Sequence, residues 1–113
     1  MKETQQTIVT WTEATFGAAS TNAGVAARAN EEMAELLRAL TMDDNHPKAA
    51  EEAADIVIIL YRLAHRMGCN LHDEINRKMA INRQRQWTAG PDGHGYHVRA
   101  GSEAAERAEQ SQP

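Results

Sequence analysis

Cysteine is almost absent from this sequence: Cys69 stands alone among 113 residues. That excludes an internal disulfide and any Cys-x-x-Cys zinc pattern, and it fits a reducing cytosol. Aromatic residues make up only 4% and prolines number three, while Ala and Glu are frequent. Such a balance leans helical. Long hydrophobic runs are missing too. The longest, IVIILY at residues 56–61, is far too short to cross a bilayer, and MKETQQTIVTWTEATFG lacks the apolar stretch of a signal peptide. A cytoplasmic protein without a membrane partner is expected. Nor is there a basic excess. The formal net charge is −4, which argues against a nucleic-acid polymer as partner. A small anionic substrate stays compatible if metal offsets the local negative charge. No G-x-x-x-x-G-K-[ST] loop occurs, which excludes a P-loop nucleotidase. No E-x-x-H pair occurs either, which argues against a carboxylate-bridged di-iron bundle.

What is present suits one small helical domain, with 42% hydrophobic and 25% charged residues. Four helices are expected. The first covers residues 3–16 and stops at Gly17, with Ile8, Trp11 and Thr15 on one face and Ile8, Thr12 and Phe16 on an overlapping one. The second covers 22–40, capped by Ser20, Thr21 or Asn22, with Val25, Ala29, Met33, Leu36 and Leu40 at helical spacing. The third runs over 47–67 with Pro47 in its first turn. Its centre, DIVIILYRLA, is apolar on nearly every side, which predicts burial on two faces and hence a homo-oligomer. Asn70 caps the fourth helix, which runs to about residue 87 with Leu71, Ile75 and Met79 inward. TAGPDGHGYHVRAG then reads as a glycine-rich loop, and residues 101–113 as a polar, flexible tail outside a domain of residues 1–100.

Carboxylates carry the chemistry. The second helix contains EEMAE, the third EEAAD. Residues three apart share a helical face, so Glu32 points with Glu35 and Glu52 with Asp55. The chain between the pairs is long enough to finish one helix, turn, and start an antiparallel one. Four carboxylates beside the apolar residues Met33, Leu36, Ile56 and Val57 repel one another and lose hydration. Mg²⁺ or Mn²⁺ removes that conflict, because hard cations prefer oxygen ligands. The competing reading is a solvated acidic face paired with Arg28 or Arg38, in a non-enzymatic helical interaction module.

Other residues read two ways. Lys78, Asn82 and Arg85 form one polar stripe on the fourth helix. They suit phosphate oxygens and a sugar hydroxyl or base edge, or simply a charged helix end. Trp11 and Trp87 suit a nucleobase stack or a core position. His94 and His97 suit phosphate contact or a plain surface loop.

The order E-x-x-E, spacer, E-x-x-D, here EEMAELL then EEAADIVIIL, resembles the signature of the MazG-like, all-α nucleoside triphosphate pyrophosphohydrolases, over roughly residues 10–98. The resemblance implies a four-helix dimer or dimer-of-dimers tetramer that cuts between the α and β phosphates, releasing monophosphate and pyrophosphate. It implies Glu32, Glu35, Glu52 and Asp55 as ligands of two or more Mg²⁺ or Mn²⁺ ions, with Glu31 and Glu51 in an outer role. Lys78, Asn82 and Arg85 become substrate ligands. The flanks WTEATFG, KMAINRQRQW and DGHGYH are similar to a phage-type group within the family, the MazZ-like dATP/dGTP diphosphohydrolases. That similarity implies purine deoxynucleotides as substrates, with Trp11, Trp87 and His94 beside them, and the host cytoplasm as the place of work.

Overall fold

The computed structural model describes residues 2–98. The tail at 101–113 therefore lies outside the described residues. Four α-helices dominate, as expected: α1 (Gln5–Phe16), α2 (Asn22–Thr41), α3 (His46–Arg66) and α4 (Leu71–Gln84). Two short strands, β1 (Trp87–Ala89) and β2 (Gly95–His97), follow. The chain divides into two compact units, 2–74 and 75–98. No described helix is long and apolar enough to cross a membrane.

In the first unit, side-chain caps set the helix starts. Thr4 opens α1, with a reciprocal bond to Thr7 that satisfies two backbone donors; the start is therefore later than the residue-3 boundary expected. Gly17, at φ 75°, closes α1 in a conformation that side chains disfavour. Of the three candidate caps for α2, Thr21 is the one used, its Oγ1 accepting from the Gly24 amide at 2.9 Å. Asn45 caps α3 by accepting from the Lys48 amide at 3.0 Å, and Pro47 occupies the first turn. The four-residue link between α2 and α3 doubles the chain back so that the two helices pack together, and α1 packs on α3.

The core is made of small groups. Ala39, Ala49 and Ala64 are buried with Val9, Val25 and Ile56. On α1, Val9 and Thr12 face inward, while Trp11 (57% exposed) and Phe16 (64%) face out. Of the two stripes expected for α1, Thr12 is buried and Ile8 half-buried, while Trp11, Thr15 and Phe16 are exposed. The Thr12 hydroxyl meets its burial cost by donating to the Val9 carbonyl at 2.9 Å. Arg66 ties the end of α3 to the α1–α2 connection through Asn22 and the Ala19 carbonyl. Gln5 bridges the α3–α4 corner, bonding both the Cys69 carbonyl and the Leu71 amide at 2.8 Å. Asn70 caps α4 as expected, accepting from the Asp73 amide at 3.0 Å.

In the second unit, α4 ends at Gln84, three residues short of the expected boundary, because Trp87 enters a strand. The segment expected to be a loop is a β-hairpin pairing Trp87 with His97, Thr88 with Tyr96 and Ala89 with Gly95. Its turn is the Gly-Pro-Asp-Gly chemistry that the composition did show. At Gly90 a Cβ would sit 2.8 Å from the Tyr96 ring, so any larger residue would push that ring aside. The Trp87 indole donates to the Asn82 carbonyl at 2.7 Å, linking hairpin to helix. No residue of α4 is buried; Ile75 and Met79 are 48% and 39% exposed rather than inward.

Candidate metal centre

Glu52 lies in the buried stripe of α3, between Ala49 and Ile56, where the three-and-four spacing calls for an apolar residue. Its side chain is 7% exposed. Across from it on α2, Glu32 is 12% exposed. Asp55, one turn beyond Glu52, faces solvent. One carboxylate oxygen from each of these three lies within 4.8 Å of the others.

Two carboxylates this close repel one another unless a proton, a cation or a basic side chain offsets their charge. A hydrogen bond shared with Glu52, and then burial, raises the pKa of Glu32 above the ordinary glutamate value. The same bond, followed by the one from Lys48, lowers that of Glu52. Two basic side chains hold the pair in place. Arg28 reaches Glu32 and Glu31, each at 2.7 Å. Lys48 reaches Glu52 at 3.1 Å and Glu51 at 3.8 Å. Bonding to Glu31 and the charge of Glu32 raise the Arg28 pKa; bonding to Glu52 raises that of Lys48.

Glu52 Oε2 is buried and meets no hydrogen-bond donor. An orphaned carboxylate oxygen is costly, and a hard cation among Glu32, Glu52 and Asp55 would satisfy it. An all-oxygen donor set suits Mg²⁺ or Mn²⁺, so these residues fit such a metal. Glu35, three residues beyond Glu32, is exposed and outside the group of three. Glu31 and Glu51 are exposed and serve the basic clamp instead.

A cavity of about 500 Å³ opens beside the carboxylates, with Glu32, Asp55 and Arg28 at one part of its lining. Trp11 and Phe16 stand edge to face at 5.4 Å on its wall, with Thr12, Ile58, Ile59 and Arg62 completing it. Large aromatic rings this exposed beside a concave surface are suited to a flat ligand. Lys48, Phe16 and Arg62 were missed in the sequence. Lys48 sits four residues before Glu52, an i,i+4 pair that was there to be seen. Arg62 and Phe16 left no comparable local signal.

The other candidates lie in the second unit. Lys78 and His94 are exposed, Arg85 is half-buried, and Trp87 is 44% exposed. Asn82 Oδ1 is buried without a donor. His94 lies 3.8 Å from Asp92, close enough for an ion pair once protonated. The structure thus places Trp11 and the carboxylates in the first unit and these five residues in the second.

Fold and site together define a mainly α-helical protein with a group of three carboxylates that could hold a hard divalent metal. The MazG-like family model matches residues 29–94, and the chain belongs to that family. Among solved structures, it is similar to the cyanophage S-2L MazG-like pyrophosphohydrolase bound to dGDP and three catalytic Mn²⁺ ions per active site. Identity is 29%, the match covers 84% of this chain and 93% of that one, and the TM-score is 0.68. No curated protein gives a significant sequence match.

Proposed function

We infer that this chain is a metal-dependent nucleoside triphosphate pyrophosphohydrolase that cuts between the α and β phosphates, favouring purine deoxynucleotides. The observation that carries this is the buried Glu52, with one oxygen unpaired, in a group of three carboxylates that opens on an aromatic-walled cavity. A solvated acidic face, as in an interaction module, does not account for a carboxylate set into the core stripe. The S-2L relative, which holds dGDP and Mn²⁺, supports a nucleotide and a hard metal at this position.

Water adds to the α phosphorus, the Pα–O–Pβ bridge breaks, and monophosphate and pyrophosphate leave. Divalent metal, when bound, supplies the activation of that water and shields the phosphate oxygens. Glu32, Glu52 and Asp55 would hold two or more Mg²⁺ or Mn²⁺ ions, and Glu35 joins them in this proposal. Arg28 and Lys48 orient Glu32 and Glu52 toward the shared centre. Trp11 offers a ring face to the base. Lys78, Asn82 and Arg85 are proposed as phosphate and sugar ligands on their chemistry and spacing alone, with Trp87 and His94 as further substrate contacts. The exposed apolar residues Leu37, Leu40 and Val57 favour a homo-oligomer, a dimer or a dimer of dimers; light scattering at a monomer mass would remove that part.

The test is a panel of dATP, dGTP, dCTP and dTTP with Mg²⁺ or Mn²⁺, its products separated by chromatography. Monophosphate and pyrophosphate are expected, mainly from the purines. Diphosphate and orthophosphate would overturn the cleavage position, and equal turnover of all four would overturn the purine preference.

A further inference from the structure

Arg28 and Lys48 hold equivalent places in two similar stretches, RANEEMAE at 28–35 and KAAEEAAD at 48–55. Each lies one turn before a carboxylate of the group of three, and pairs with it and with the glutamate beside it. Their surroundings differ. Arg28 lines the cavity beside the carboxylates and a second one, of about 450 Å³, that adjoins it; Lys48 lines neither. The second cavity runs along the start of α2, with Ser20, Thr21 and Gly24 in its wall, and shares Arg28, Ile59 and Arg62 with the first. Among the described residues, no carboxylate and no aromatic ring lines it. The first cavity, by contrast, holds Glu32, Asp55 and the Trp11–Phe16 pair.

A cationic cavity walled by small residues suits a compact anion rather than a base. Arg62 is a fixed charge in that wall, since its Nη2 donates to the Gly17 carbonyl. Arg28 is the side chain able to turn. It is 59% exposed, and its bond to Glu31, itself 68% exposed, is a surface pair that contributes little. Its other bond runs 2.7 Å from Nη2 to Glu32 Oε1. Neighbouring oxygens around an octahedral hard cation lie about 3 Å apart. A guanidinium that touches Glu32 is therefore within reach of a phosphate oxygen held at the same centre, and its planar fork suits such an oxygen.

We propose that Arg28 is a phosphate ligand that turns from Glu31 to the pyrophosphate end of the substrate, and that the second cavity receives that end. The proposal rests on the pyrophosphohydrolase reading above and adds where the leaving group goes. When the Pα–O–Pβ bridge breaks, its electron pair passes to the bridging oxygen of pyrophosphate, and Arg28 offsets the charge that builds there. The nucleoside and its α phosphate stay on the side of the carboxylates and Trp11.

Calorimetric titration of the Mn²⁺-saturated protein tests it, with dGMP and with the α,β-methylene analogue of dGTP, which is not cut at that bridge. Arg28→Gln should weaken the triphosphate analogue about tenfold or more, the range of one charge-assisted bond, and leave dGMP nearly unchanged. Arg28→Lys, which keeps a charge, should recover part of the loss. Lys48→Gln strips the same kind of pair from Glu52 but lines neither cavity, so it should shift both ligands by a common factor. Loss of Mn²⁺ binding in Arg28→Gln, or equal weakening of both ligands, would make Arg28 only a support for Glu32 and overturn the proposal. So would an unchanged affinity for the analogue, or the same selective loss in Lys48→Gln. The two readings fail separately. A wild type that releases pyrophosphate from dGTP, beside an Arg28→Gln that keeps the wild-type ratio of the two affinities, would sink the assignment of Arg28 alone. A wild type that releases none from any triphosphate would sink the hydrolase reading.

Discussion

Glu52→Gln is the sharpest perturbation of the metal centre. Glutamine keeps the volume of Glu52 inside the α3 core stripe and retains an oxygen to accept from Lys48, which lies 3.1 Å away. The metal-depleted fold should therefore persist. The anionic ligand is lost. With metal at a hundred times its Kd, a ligand that binds only the folded state stabilises by about 2.7 kcal/mol. For a domain of about 100 residues, each kcal/mol raises Tm by about 4–8 °C, so Mn²⁺ should raise the wild-type Tm by roughly 10–20 °C. Residues that merely orient metal ligands are worth about 10–100-fold in affinity, and a direct ligand at least as much. A hundredfold loss would bring the same Mn²⁺ concentration down to Kd, where the stabilisation is about 0.4 kcal/mol and the Tm shift roughly 2–3 °C. The assay is a calorimetric melt with EDTA or Mn²⁺, with Glu51→Gln as the control. Glu51 is exposed and only ion-paired with Lys48 at 3.8 Å; its variant has the same net charge as Glu52→Gln but should keep most of the shift. An equal Mn²⁺ shift in Glu52→Gln and wild type would refute the assignment of Glu52 as a ligand.

The pKa of Glu32 is raised and that of Glu52 lowered by the bond they share. The Glu32 contribution to stability is present below its unfolded pKa and fades as pH rises through the folded one; the Glu52 contribution is present above its unfolded pKa and is lost as pH falls through the folded one. Metal competes with protons for these carboxylates, so the Mn²⁺-induced Tm shift should shrink as pH falls into the glutamate range, and titration there in buffers of different ionisation heat should show proton release. A pH-independent shift without proton release would contradict carboxylate ligation of the metal. Trp11→Ala removes an exposed ring from the cavity wall, so melting should barely change. KM for every accepted nucleotide should rise about tenfold, the lower range of one base–aromatic stack; an unchanged KM would remove Trp11 from the base site.

Local chemistry was the legible layer. Gly17, Pro47 and Asn70 mark helix ends through backbone conformation or a single side-chain bond, and such effects act within a few residues. The acidic pairs were legible for the same reason, since helical geometry alone puts residues three apart on one face. Their likeness to the MazG-like signature added the chemistry, which spacing by itself does not specify. Ile75 and Met79 were misplaced because an apolar residue at helical spacing shows that a face exists, not what covers it. The hairpin after α4 was obscured by its glycines, which serve loops and tight turns equally well.

The sequence by itself determined four helices, the Asn70 cap, and two acidic pairs at metal-ligand spacing, because each depends on contacts one or two turns apart. Only the tertiary structure decided that Glu52 is buried while Glu35 is exposed, since packing of α2 on α3 selects which carboxylate of each pair meets the seam. It also decided that Arg62, two turns beyond Asp55, shares a cavity with Glu32 and Trp11. Those residues come from three helices, and no local pattern encodes how three helices meet.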